Sequence, residues 1–175
     1  IASVPVNIRS SPAEGAGNQI SGMTASLATD VADPVERLAR IAQSTRASKL
    51  AHEAMGARTL MQLADTPPPM LVSLAIQFYS RAQLSRRLRV PYNLVISNVP
   101  GLPQPLYHMG ARVTGAYSFG ICFDGAGLYI GLMSHADQID FGVLACRELV
   151  PDPWFIADGI RASRDELVHA AKGKA

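Results

Sequence analysis

Leu94-Val95-Ile96-Ser97-Asn98-Val99-Pro100-Gly101 reads as a buried strand that ends in Ser-Asn ahead of a Pro-Gly turn. A hydroxyl and an amide at a strand's mouth are groups that orient a substrate or pin a turn. Because Asn before Val-Pro-Gly readily satisfies local backbone groups, the residues themselves favour turn pinning for Asn98. Further strand-like runs follow over Ala111–Phe119, Leu128–Ser134 and Phe141–Arg147, each rich in apolar and β-branched or aromatic residues. Asp124-Gly125-Ala126-Gly127 is read as a hairpin turn joining the second of these four strands to the third.

Upstream, Ile1-Ala2-Ser3-Val4-Pro5-Val6-Asn7-Ile8 reads as a buried strand without an initiator methionine, so the chain is expected to begin inside a larger polypeptide. Ser10–Gly17 suits an exposed turn, and Asn18–Thr29 a second strand paired with or near the first. Asp33-Pro34-Val35-Glu36 combines an N-cap carboxylate, a proline at the first helical position and a glutamate at the third, and so starts a helix that runs to about Met55 and stops at Gly56. Its core face is read as Val35, Leu38, Ile41 and Ala42, its solvent face as Arg37, Arg40 and Arg46.

A short helical piece over Ala57–Ala64 is broken at Thr66-Pro67-Pro68-Pro69. The next helix carries Leu71, Leu74, Ala75, Phe78 and Ala82 on one side, with Arg81, Arg86, Arg87 and Arg89 near its C-terminal end, where cations suit the helix dipole. These arginines read first as a solvated face, with contact to anionic lipid or coenzyme A phosphates as the alternative. A last helix spans about Pro153 to Ala171 and presents Phe155, Ile156, Ile160 and Leu167. Strands, helices and strands again predict an α/β, layered α+β domain: a mixed sheet packed against helices.

With 175 residues, 48% of them apolar and 17% charged, the chain suits one globular domain. Sixteen basic against 14 acidic side chains leave a net charge of +2, too small to point to nucleic acid. Cys122 and Cys146 sit singly in apolar runs, which suits a reducing compartment and small core residues rather than nucleophiles. The longest apolar stretch, Met70 to Phe78, is far too short for a membrane span, and a cytoplasmic location is expected.

No G-x-S-x-G elbow or phosphate-cradling glycine loop is present, and His52, His108, His135 and His169 are scattered without metal-ligand spacing. His135, in Met133-Ser134-His135-Ala136-Asp137, is the one histidine at a strand end beside acidic residues. It reads first as a surface or structural residue, and second as a base working with Asp137 or Asp140.

Taken in order, Val4-Pro5-Val6-Asn7-Ile8-Arg9, Gly17-Asn18-Gln19-Ile20-Ser21-Gly22-Met23, Asp33-Pro34-Val35-Glu36-Arg37-Leu38, Asn93 to Gly101, Pro105-Leu106-Tyr107, Gly110-Ala111-Arg112-Val113, Asp124-Gly125, Phe141-Gly142 and Glu148-Leu149-Val150-Pro151-Asp152 resemble the C-terminal motifs of the bacterial wax ester synthase/diacylglycerol acyltransferases. The resemblance covers nearly the whole chain. It implies a chloramphenicol-acetyltransferase-like fold, with residues 1–175 forming the second domain of a coenzyme A-dependent acyltransferase.

In that family the base is the second histidine of an H-H-x-x-x-D-G motif in the first domain, and this sequence contains no such pair. The resemblance therefore implies no catalytic residue and no metal here, and a substrate-binding or tunnel-shaping role for Ser97, Asn98, Val99, Pro100 and His135. Met133-Ser134-His135 replaces the common Met-Ser-Tyr. The implied partners are the N-terminal domain, acyl-coenzyme A as co-substrate with no tightly bound cofactor, and diacylglycerol or a fatty alcohol. Peripheral contact with membrane or lipid droplets is a further expectation, and no nucleic acid is expected. A non-catalytic lipid-binding or interaction module on the same fold is the alternative. Without its partner domain the chain is expected to expose an apolar face.

Overall fold

A computed structural model describes residues 1–7, 20–55, 68–82, 91–122 and 124–173. The readings of a turn at Ser10–Gly17, a helical piece at Ala57–Ala64 and the arginines at 86, 87 and 89 lie outside the described residues.

Five strands form one mixed sheet: β1 (Ala2–Asn7), β2 (Ile20–Ala25), β3 (Leu94–Pro100), β6 (Leu128–His135) and β7 (Gln138–Ala145), in the order β2-β1-β3-β6-β7. The inner strands β1, β3 and β6 run parallel, and antiparallel β2 and β7 flank them. A small hairpin, β4 (Tyr107–His108) and β5 (Ala111–Arg112), stands apart. Its turn residues Met109 and Gly110 both have positive φ, as a two-residue hairpin that matches strand twist requires. Among the described residues the helices are α1 (Pro34–Met55), α2 (Pro69–Arg81) and α3 (Trp154–Lys172). The expected layered α/β architecture is the one observed.

The start of α1 follows its sequence signal, with the Asp33 carboxylate accepting the Glu36 N–H at 2.7 Å and Glu36 pairing with Arg40 one turn on. Its inner face differs from the expectation. Leu38 is half exposed, whereas Arg37 turns inward and donates to the carbonyls of Val31 and Ala32. The inward stripe contains Ile41, Thr45, Ser48 and His52, and Arg37 lies one turn before Ile41 on that stripe. The seam to β2 is built from hydroxyls: Ser44 Oγ accepts the Ser26 N–H, and Ser48 Oγ donates to the Thr24 carbonyl.

Three strand readings change. The strand expected over Asn18–Thr29 ends at Ala25, because the Ser26 N–H is taken by α1 and Ala28 adopts φ 45°. The hairpin expected at Asp124–Gly127 lies instead at Ala136–Asp137, between β6 and β7, so the last strand is Gln138–Ala145 rather than Phe141–Arg147. The strand expected over Ala111–Phe119 is only two residues long, and the chain beyond it crosses the face of the sheet instead of extending an edge.

On the apolar side of α2, Leu71, Leu74 and Phe78 are exposed. No described helix is long and apolar enough to cross a membrane.

Candidate functional site: the strap and the β3 to β7 face

Strand periodicity divides the expected site residues. β3 stays paired with β6 as far as Pro100, opposite Ser134, so Asn98 lies within a strand and not in a turn. Ser97 and Val99 therefore face one side of the sheet, and Asn98 and Pro100 the other. The hydroxyl and the amide do not share one mouth. Asn98 is exposed and makes no side-chain hydrogen bond with a described residue, so the turn-pinning role is not what it performs here.

The Ser97 face is the more elaborate. Across β3, β6 and β7, Ser97, Gly131 and Gly142 stand in one row. The carbonyl oxygen of Ser118 sits over the two glycines, where a Cβ on Gly142 would lie 2.5 Å from it and one on Gly131 closer still. Only residues without a side chain permit this approach. The segment 113–122 is thus a strap laid on the sheet. Its ring-bearing neighbour below is Tyr129, pressed against Gly120.

Polar side chains of the β6–β7 hairpin hold the strap. Asp140 Oδ2 accepts the Ala116 N–H at 2.8 Å, and the Gln138 amide donates to the Thr114 carbonyl at 2.9 Å and to the Asp140 carboxylate. These side chains replace the ladder bonds that an edge strand would have made.

His135 belongs to this cluster. It is 5% exposed, not a surface residue, because it lies on the strap side of β6 beside the clamped hairpin. Its Nδ1 is 3.8 Å from Asp140 Oδ2 and makes no hydrogen bond among the described residues. Asp137, the other acid considered, is exposed in the turn. A cavity of about 120 Å³ lies alongside, lined by Arg112, Thr114, His135 and Gln138. The structure thus brings His135 and Asp140 together, with Ser97 on the same face two strands from Asp140, while Asn98 and Pro100 project from the reverse side.

The reverse face carries α1 and α3. Between these helices and β7 runs an apolar groove of about 760 Å³, lined by Leu27, Ile41, Ile139, Phe141, Ile156 and Ile160. The α3 positions expected to be apolar contacts, Phe155, Ile156, Ile160 and Leu167, all line it, although Phe155 is largely exposed.

Both cysteines are free and half-buried. The Cys146 thiol donates to Glu148 Oε2 at 2.9 Å, and this bond, followed by one from the backbone N–H of Glu148, holds that carboxyl below the usual carboxylate range. A reactive thiolate needs electropositive surroundings, and here the neighbour is an anion. No group of three or more His, Cys, Asp or Glu residues able to hold a metal occurs among the described residues.

The residues missed from sequence are Gly131, Gly142, Gln138 and the strap, while Asp140 is anticipated only as a partner for His135 and not as the acceptor of the Ala116 N–H. One signal was available: the two glycines lie at equal distances on either side of Ala136–Asp137, so a hairpin turning there places them opposite each other.

Comparison with known proteins identifies the surroundings of this arrangement. The sequence profile described as the WS/DGAT C-terminal domain matches residues 16–167. A Mycobacterium tuberculosis protein named as a diacylglycerol O-acyltransferase is 35% identical over 176 residues, covering 97% of this chain and 37% of its own length. A second from the same organism, named tgs2, is 36% identical over 179 residues, with the same two coverages. Among solved structures, the wax ester synthase/diacylglycerol acyltransferase from Marinobacter aquaeolei VT8 superposes with a TM-score of 0.63 at 29% identity, over 86% of this chain and 35% of that one. The chain thus spans little more than a third of the length of the relatives it matches.

Proposed function

Because the chain belongs to the wax ester synthase/diacylglycerol acyltransferase C-terminal domain family, we propose that it is the second domain of an enzyme that moves a fatty acyl group from acyl-coenzyme A to diacylglycerol or a long-chain alcohol. The observation that carries this reading is the family match over residues 16–167. Relatives named as diacylglycerol O-acyltransferases and a wax ester synthase support the same chemistry.

In that reaction the acceptor hydroxyl gives its proton to a neutral imidazole and its oxygen attacks the thioester carbonyl. The C–S bond then breaks, and coenzyme A leaves as the thiol with the proton returned to it. The base is the second histidine of the family's motif in the first domain. His135 is a poor alternative, since its ring is enclosed between the strap and the hairpin. This domain's share is a wall of the lipid and acyl-coenzyme A tunnel, with Ser97 and Val99 on one face and Asn98 and Pro100 on the other shaping its edge. Acyl-coenzyme A enters as co-substrate rather than as a held cofactor, and the lipid substrates bring the enzyme to membrane or droplet surfaces peripherally.

The test is ester formation by the full-length polypeptide from labelled palmitoyl-coenzyme A, with diacylglycerol and with hexadecanol as acceptors. Product with either supports the proposal and fixes the acceptor. No product with both, together with retained lipid binding, would favour the non-catalytic lipid-binding module. The substitution His135→Gln should leave turnover of the folded enzyme within a few-fold, whereas a loss of about a thousandfold, the scale of removing a key catalytic group, would move the base into this domain.

A further inference from the structure

Parallel strands are as a rule covered on both faces. In this sheet β1, β3 and β6 are parallel, yet helices cover one face, and on the other the described covering is the strap alone. The strap alternates. Ala116, Ser118 and Gly120 are half-buried, while Tyr117, Phe119 and Ile121 are 59%, 62% and 74% exposed, the Phe119 ring keeping one edge against Gly142. Val99 and Leu144 on the same face are also exposed. From Val113 to Cys122 there is no charged residue, so covering this ridge desolvates no ion.

We propose that the Tyr117-Phe119-Ile121 ridge is the surface on which the first acyltransferase domain docks, supplying the layer that the parallel strands lack. This rests on the two-domain reading above. Its occupant is argued from chain length: in the relatives the matched region is 37% of the whole, so most of each polypeptide lies outside it. It is argued also from composition, because interface centres are rich in aromatic residues and depleted in charge. The ridge is organised before docking, since Asp140 and Gln138 grip its backbone and the glycine pair seats it. A docked partner therefore meets a surface whose ordering cost has already been met within this domain.

Hydroxyl-radical footprinting of the full-length polypeptide tests this. Tyr107, 67% exposed, is the internal reference for Tyr117, 59% exposed. Tyr117 should oxidise at least about fivefold more slowly than Tyr107, because water is excluded from the centre of a protein interface. Equal rates would overturn the assignment. So would protection that disappears on dilution, which would make a second copy of the chain the occupant. Phe119→Glu in the full-length protein should restore oxidation of Tyr117 and split one unfolding transition into two, and wild-type behaviour of this variant would count against docking. If the variant does not fold, the wild-type footprint decides. Acyl transfer assayed on the same samples separates the two ideas: protection without activity sinks the function alone, and activity without protection sinks the docking surface alone.

Discussion

The two faces of one sheet are covered by different kinds of chemistry. On the helix side, α1 and α3 meet the strands through side chains, loosely enough to leave a groove of about 760 Å³ and no fully buried residue in α3. On the strap side, main chain lies against main chain: the Ser118 carbonyl rests on Gly131 and Gly142, and Asp140 and Gln138 hold backbone groups. Packing of the kind α3 makes tolerates small shifts, because dispersion contacts are many and individually weak. A backbone strap does not, because each hydrogen bond has a direction and each glycine contact has no slack. The strap side is therefore the side on which single atoms matter.

Substitutions can break this contrast. The largest effect is expected at Gly131: Gly131→Val should lift the strap and cost about 3 kcal/mol in denaturant unfolding, the upper range for overpacking. Gly22→Ala, where the nearest atom is 3.9 Å away, should be mild by comparison, and similar losses at both positions would mean that the strap is not seated on the glycines. Next comes Asp140→Ala, which leaves the Ala116 N–H without its acceptor and should cost about 2 kcal/mol. On the helix side, removing a carboxylate through Asp158→Ala breaks only an exposed pair and should cost less than about 1 kcal/mol. Equal destabilisation by the two would erase the difference between the faces.

The smallest effect should have the opposite sign. Gly159 sits inside α3 beside the groove, and a methyl group added there would meet nothing within 4 Å, so Gly159→Ala should stabilise by about 1 kcal/mol through helix propensity. A rise in thermal midpoint checks it. A fall would show that the helix side is packed more tightly than its groove indicates.

Much of the fold was legible because its signals are local. Asp33 and Pro34 mark the start of α1, and the apolar runs of β1, β3 and β6 mark strands, though not their parallel pairing. The strap was not legible, since Val113, Tyr117, Phe119 and Ile121 form the same alternating pattern whether the segment extends an edge or crosses a face. What decides between them is a pair of glycines on other strands. The hairpin was misplaced for a related reason: Asp124-Gly125 has stronger turn chemistry than Ala136-Asp137, yet Ala136 accepts φ 50° because pairing along eight residues of each strand outweighs that local strain. At the site, the family motif led to Ser97–Pro100 and His135, but strand alternation then sent Ser97 and Asn98 to opposite sides. The burial of His135 depends on the strap and so shared its invisibility.

The hydroxyl seam of α1 has a consequence for how the domain avoids its own kind. Ser44 and Ser48 are one helical turn apart, about 6 Å, and Ser26 and Thr24, two residues apart in extended chain, repeat at nearly the same distance. The helix therefore works as a ruler along β2, with one setting in which both bonds close. Among the described residues β2 is an outer strand, and those bonds occupy its Thr24 carbonyl and the Ser26 N–H just past its end, backbone groups of the kind a foreign strand recruits. Two serines thus guard that border against stray β-addition, and replacing both would open it to self-association.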